Sequence, residues 1–214
     1  MSARALCIAT ACAILLFARP ATARPVSAAT TTTVEMSSGP EEFYGEVHYS
    51  FTPRLALGLD YHRYRLAEGA LLQGVQPHIN LLLWRNNSRR TQSNLYLTGG
   101  YGAASIGPDW THGGGGRLGI DRESRRWMVG AWGGASAYVD GTVDPYAGVM
   151  VGLAPYLSDY NEVQAWLMVT ADYMPERLTT FDVIPHIRLM YRSALLEIGA
   201  SFRGAYRLNF VIDF

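Results

Sequence analysis

The sequence contains no lysine, so all 18 of its Lys and Arg residues are arginine, and its only two cysteines are Cys7 and Cys12. An all-arginine basic set fits a biased genome composition at least as well as a phosphate-binding role. Beyond the N-terminal segment, no stretch approaches the roughly 18 to 20 consecutive apolar residues that a membrane helix needs. Formal charge balances at +0, which gives no electrostatic footprint for nucleic acid.

The N-terminal segment reads as an export signal. Arg4 precedes an apolar run from Ala5 to Ala18, and Ala21-Thr22-Ala23 supplies small residues where a signal peptidase reads. Cleavage is expected after Ala23, giving a signal peptide of residues 1–23 and a single mature domain of residues 24–214. Cys12 is followed by Ile14, Leu15, Leu16 and Phe17 within the apolar run, the wrong place for an acylated first residue. Both cysteines would leave with the leader, which excludes disulfides and thiolate chemistry from the mature protein. Loss of Arg4 and Arg19 would leave 16 arginines against 18 acidic residues, a net charge near −2.

What the chain does have is glycine (22 residues), aromatics (12%) and repeated period-2 alternation. Phe43, Gly45, Val47, Tyr49 and Phe51 alternate with Tyr44, Glu46, His48, Ser50 and Thr52. Leu55, Leu57, Leu59 and Tyr61 alternate with Ala56, Gly58, Asp60 and His62, and Val75, Pro77, Ile79, Leu81 and Leu83 with Gln76, His78, Asn80 and Leu82. The same pattern returns around residues 162–172 and 182–191. Successive strand side chains point to opposite faces, so each segment has one apolar face and one face bearing ionisable groups.

Such faces suit a soluble sandwich or a membrane barrel. Segment length favours the barrel: runs of about 9 to 12 residues match a tilted bilayer crossing and exceed the usual soluble strand of about five or six. Tyr49, Phe51, Tyr61, Trp84, Trp127, Tyr173 and Tyr191 lie near segment ends, where an interfacial girdle belongs. Eleven segments are clear, at about 43–52, 55–65, 74–84, 94–106, 115–123, 126–139, 145–156, 162–173, 182–192, 195–203 and 206–214. Bacterial single-chain barrels use even numbers. The β-branched "TTTTVEM", residues 30–36, supplies a twelfth; ten strands is the alternative if the last three segments are two. The expected fold is therefore all-β, a single antiparallel transmembrane barrel of 12 strands in the bacterial outer membrane. Short periplasmic turns are expected at 52–54, 85–93, 124–125, 157–161 and 193–194, and outer loops at 66–73, 106–114, 140–144 and 174–181.

The closing segment "YRLNFVIDF", alternating and ending on Phe214, resembles the C-terminal signal of bacterial outer-membrane barrels. That resemblance implies the barrel-assembly machinery as a partner during biogenesis. "NLYLTGGYG" (Asn94 to Gly102), "DRESRRW" (Asp121 to Trp127) and "GLAPYLSDYNEVQAWLMV" (Gly152 to Val169) are similar to an uncharacterised group of proteobacterial envelope proteins associated with heavy-metal and copper resistance settings. It supplies no ligand residues to carry over.

Four of the five histidines, His48, His62, His78 and His186, fall on the polar face. A three-residue turn pairing Thr52 with Ala56 would set Glu46 opposite His62 and His48 opposite Asp60. Pairing Leu66 with Gly74 would set His78 beside His62. Glu46, His48, Asp60, His62 and His78 then form one lumen patch, with His186 and Arg188 on the far wall. Imidazole with carboxylate suits zinc or copper(II); the same groups also satisfy one another as hydrogen-bonded partners of a polar wall. "GGGGRLG" (113–119) contains a G-x-G-x-x-G spacing but does not open a helix, and is expected to be a flexible loop rather than a dinucleotide site.

These observations point to a non-enzymatic channel or binding barrel for a small polar solute or metal ion, requiring no cofactor, with lipopolysaccharide meeting its outer rim near Arg63 and Arg65. The alternatives are a lipid- or peptide-hydrolysing outer-membrane enzyme and a structural or adhesive barrel that binds a partner through its loops.

Overall fold

The structure, a computed structural model, describes residues 28–159 and 161–214; the expected signal peptide, 1–23, lies outside them. The chain runs through twelve strands: β1 (Thr31–Ser38), β2 (Glu42–Thr52), β3 (Leu55–Arg65), β4 (Leu71–Asn87), β5 (Thr91–Ile106), β6 (Asp109–Ser124), β7 (Trp127–Tyr138), β8 (Val143–Leu153), β9 (Gln164–Tyr173), β10 (Phe181–Tyr191), β11 (Ala194–Ala200) and β12 (Tyr206–Asp213). Each pairs antiparallel with its sequence neighbour, and β1 pairs with β12 from Thr33↔Asp213 to Ser38↔Leu208, closing the barrel. The polar run "TTTTVEM" is thus the closing strand. Closure leaves no sheet edge, so every strand is paired on both sides.

The alternation read from the sequence is the inside–outside division of this wall. In β2, Val47, Tyr49 and Phe51 are exposed while His48 and Ser50 are buried. In β9, Leu167 and Val169 are exposed while Trp166, Met168 and Thr170 are buried. The exposed outer face also carries Leu57, Leu59, Val149, Val151, Ile187 and Ile198, with Tyr49, Trp84, Tyr173, Tyr191 and Tyr206 toward its margins. A continuous apolar outer belt around a polar interior would be insoluble in water and is satisfied by lipid. The protein is a β-barrel of the bacterial outer membrane.

Three expectations about connections need correction. The 106–114 loop is only Gly107 and Pro108, because β5 and β6 run on to meet at Ile106↔Asp109. Gly107 adopts φ 59°, which a tight hairpin requires and glycine adopts without strain. The 85–93 turn shrinks likewise to residues 88–90. Finally, "GGGGRLG" is not a flexible loop: it lies within β6, where Gly113 pairs with Gly102 and Tyr138. A Cβ on Gly113 would lie 2.3 Å from the Ala137 carbonyl oxygen and 2.6 Å from the Tyr138 ring, so glycine there admits a side chain that leans across the strand.

Candidate functional site

The wall formed by β2, β3 and β4 gathers the predicted residues, by a different pairing from the one expected. The β2–β3 turn is tight, with Thr52 opposite Leu55 and an irregularity between Ser50 and Thr52. Glu46 therefore faces Asp60, His48 faces Gly58 and Tyr44 faces His62. On the next ladder His78 faces Gly58 and His62 faces Gly74, so neither the Leu66–Gly74 pairing nor the His62–His78 pairing forms.

Gly58 is what brings the two imidazoles together. His48 and His78 flank it on either side, and a Cβ at Gly58 would lie 2.6 Å from the His48 Cβ and 2.7 Å from the His78 Cε1. With that volume empty, the rings meet edge to face with centroids 6.5 Å apart. Gly74 makes a similar slot for His62, whose Nε2 would be 2.7 Å from a Cβ there.

Glu46 is the hub. Its Oε1 lies 2.5 Å from His48 Nδ1, 3.1 Å from His78 Nε2 and 3.1 Å from Asn80 Nδ2, while Oε2 accepts from the Tyr44 hydroxyl. Asp60 continues the chain, with Oδ2 3.2 Å from His78 Nδ1 and Oδ1 3.0 Å from His62 Nδ1. All five predicted wall residues thus form one connected set. Glu46, His48 and His78 also offer ligand atoms within 4.8 Å of one another, which makes them a candidate metal group. His48 Nε2 is buried and has no hydrogen-bond partner. A proton on Nδ1, donated to Glu46, leaves a lone pair on Nε2, the state in which imidazole ligates a metal; an adjoining carboxylate commonly fixes that tautomer.

His186 does not join this set. It sits on β10, with Nδ1 on the Ile184 carbonyl at 3.1 Å and Nε2 3.6 Å from Glu197. Glu197 also takes Arg188 at 2.7 Å, so the far wall is a separate ion-paired cluster. Arg207 pairs with Asp172 at 2.8 Å, and Arg117 stacks over Trp132 at 5.1 Å.

Glu35 falls outside the predicted set. It lies on β1 directly opposite Glu46 and lines the same lumen cavity of about 430 Å³, together with Arg117 and Arg207. Among the described residues it makes no hydrogen bond or ion pair. Its signal in the sequence is faint, one acidic residue in a threonine-rich segment.

No protein-family model and no curated protein matches the chain. The resemblance to envelope proteins of metal-resistance settings therefore rests on the quoted segments alone. Solved barrels do match. A structure titled KdgM porin in complex with disordered oligogalacturonate is 9% identical, covers 86% of this chain and 98% of its own, and gives a TM-score of 0.50. A second KdgM porin structure gives 0.49 at 9% identity, with coverage of 86% and 99%. LpxR from Salmonella typhimurium gives 0.45 at 8% identity, with coverage of 86% and 99%. At these identities the likeness is one of fold.

Proposed function

We propose that the protein is a channel or binding barrel that admits a small polar solute or metal ion to its lumen, with Glu46, His48, Asp60, His62 and His78 as the selective wall. It is made with a cleaved leader of residues 1–23, is inserted by the barrel-assembly machinery, and stands with its 53–54, 125–126 and 192–193 turns in the periplasm and its opposite rim among lipopolysaccharide. One observation carries the binding reading: two imidazoles from different strands share one carboxylate oxygen, beside a buried imidazole nitrogen that has no partner. An imidazole whose other nitrogen is held by a carboxylate presents that nitrogen to a ligand in a fixed direction.

Two histidines and a carboxylate favour zinc or copper(II) over magnesium or calcium, which prefer all-oxygen sites. Asp60 and His62 act from the adjoining position, holding the His78 ring through its Nδ1 side.

The test is metal uptake by the refolded barrel, measured by equilibrium dialysis with zinc and copper(II), together with single-channel conductance in a planar bilayer with and without micromolar metal. The expected result is binding and a changed current that are lost in a His48→Ala, His78→Ala double variant and kept in His186→Ala. Equal uptake by wild type and the double variant, with currents indifferent to metal, overturns the metal reading. Currents that respond instead to small uncharged polar solutes would place the wall's chemistry with those solutes.

A further inference from the structure

The mouth of the barrel opposite the chain's first and last strand ends is crossed by the β9–β10 connection, residues 174–180. In the closed ring, β3 and β9 are six strands apart by either path, which makes them diametrically opposite. Yet the connection that leaves β9 reaches the chain leaving β3: Ala67 N–H donates to the Glu176 carbonyl at 2.9 Å and Leu178 N–H to the Arg65 carbonyl at 3.1 Å. Leu66 and Arg177 thereby form an isolated antiparallel bridge. A loop that merely joined neighbouring strands would have no reason to span the opening.

Arg177 fixes this strap at the centre. Its guanidinium lies 3.1 Å from Asp144 on β8 and 3.6 Å from Glu42 on β2, two strands that are again six apart in the ring. A group held by carboxylates from opposite walls must sit within the bore. It also stacks 3.9 Å over the Tyr64 ring. Asp144 is fully buried, so a withdrawn Arg177 would leave a carboxylate that has to find water instead. The strap is thus held by a few specific contacts on a short, partly exposed connection, the kind of element that opens locally without unfolding its scaffold.

We propose that residues 174–180 are a gate, a strap pinned by Arg177 to Asp144 and Glu42 that closes this mouth and whose release admits solute to the lumen. The inference rests on the reading that the lumen receives a solute. Access then depends on the fraction of time the strap is released, while binding depends on the Glu46–histidine wall.

The test places a reporter thiol in the lumen by Thr98→Cys, in the full chain carrying Cys7→Ser and Cys12→Ser. Alkylation of that thiol by iodoacetamide, small and uncharged, is followed by mass spectrometry of the peptide spanning position 98. The expected result is a rate about tenfold or more higher in Arg177→Ala than with Arg177 present, because access through a local opening follows the open population. Asp144→Asn, which leaves Glu42 in place, should give a smaller increase. Because Leu66 and Arg177 are a non-hydrogen-bonded antiparallel pair, whose side chains approach closely, Leu66→Cys with Arg177→Cys can form a disulfide. In that chain the reporter thiol should be alkylated slowly when the strap disulfide is oxidised and fast when it is reduced, a comparison within one folded polypeptide that misfolding cannot produce. Equal rates with and without Arg177, or in the two redox states, overturn the gate. Thr98 donates to Asn80, itself held on Glu46, so metal uptake is measured on the chain that keeps Thr98; gated access without metal uptake would then sink the proposed binding function alone, and ungated access with metal uptake would sink the gate alone.

Discussion

Glu46 and Glu35 face each other across β1 and β2, both on the lumen side, and should respond oppositely to removal. Glu46 is 9% exposed and accepts from Tyr44, His48, His78 and Asn80. Hydrogen bonds to a charged group are worth about 1.5–3 kcal/mol each. Four on one acceptor do not add, and breaking a buried charged cluster by removing one member costs about 3–5 kcal/mol. Glu46→Ala is therefore expected to cost about 3 kcal/mol, since it strands two imidazoles, an amide and a phenol in a narrow wall. Glu35 has no such partners, and like charges opposite one another on adjacent strands repel. Glu35→Ala should change stability by less than about 0.5 kcal/mol or raise it. The assay is urea unfolding from lipid bilayers, followed by the fluorescence of the chain's five tryptophans. Equal losses for the two variants, or a larger loss at Glu35, would refute the assignment of Glu46 as the hub.

Two further outcomes test the wall itself. Leu59 is exposed on the outer face in the middle of β3, so Leu59→Arg should destabilise the barrel in bilayers by about 2–4 kcal/mol if that face meets the hydrocarbon core. No loss in bilayer unfolding would place that face elsewhere. On the wall between β4 and β5, a Cβ at Gly102 would lie 2.1 Å from the Val75 carbonyl oxygen and 2.6 Å from the Gln76 Cα, both backbone atoms. Gly102→Ala should cost about 3 kcal/mol, whereas Gly116→Ala, whose Cβ would meet nothing nearer than 3.5 Å, should be close to neutral in the same unfolding assay.

Period-2 alternation in the sequence marked eleven strands and the face each residue takes, and the length of those segments chose a membrane barrel over a soluble sandwich. Parity supplied β1, which composition alone would have left as a polar tail. Because face is set by alternation, the sequence also placed Glu46, His48, Asp60, His62 and His78 on one wall and His186 on another. Register was a different matter. The expected β2–β3 pairing differs from the observed one by two residues, and a slip of two returns every side chain to its own face, so the pattern cannot detect it. Only the folded turn, with Thr52 on Leu55, decides that His48 and His78 flank Gly58 and that Glu46 meets Glu35 on one side and Asp60 on the other. The glycine run of β6 reads locally as a flexible loop and becomes strand because its neighbours hold it on both sides. Arg177 lay furthest from view: its partners come from β8, β2 and β3, and only closure of the ring sets opposite strands within reach of one side chain.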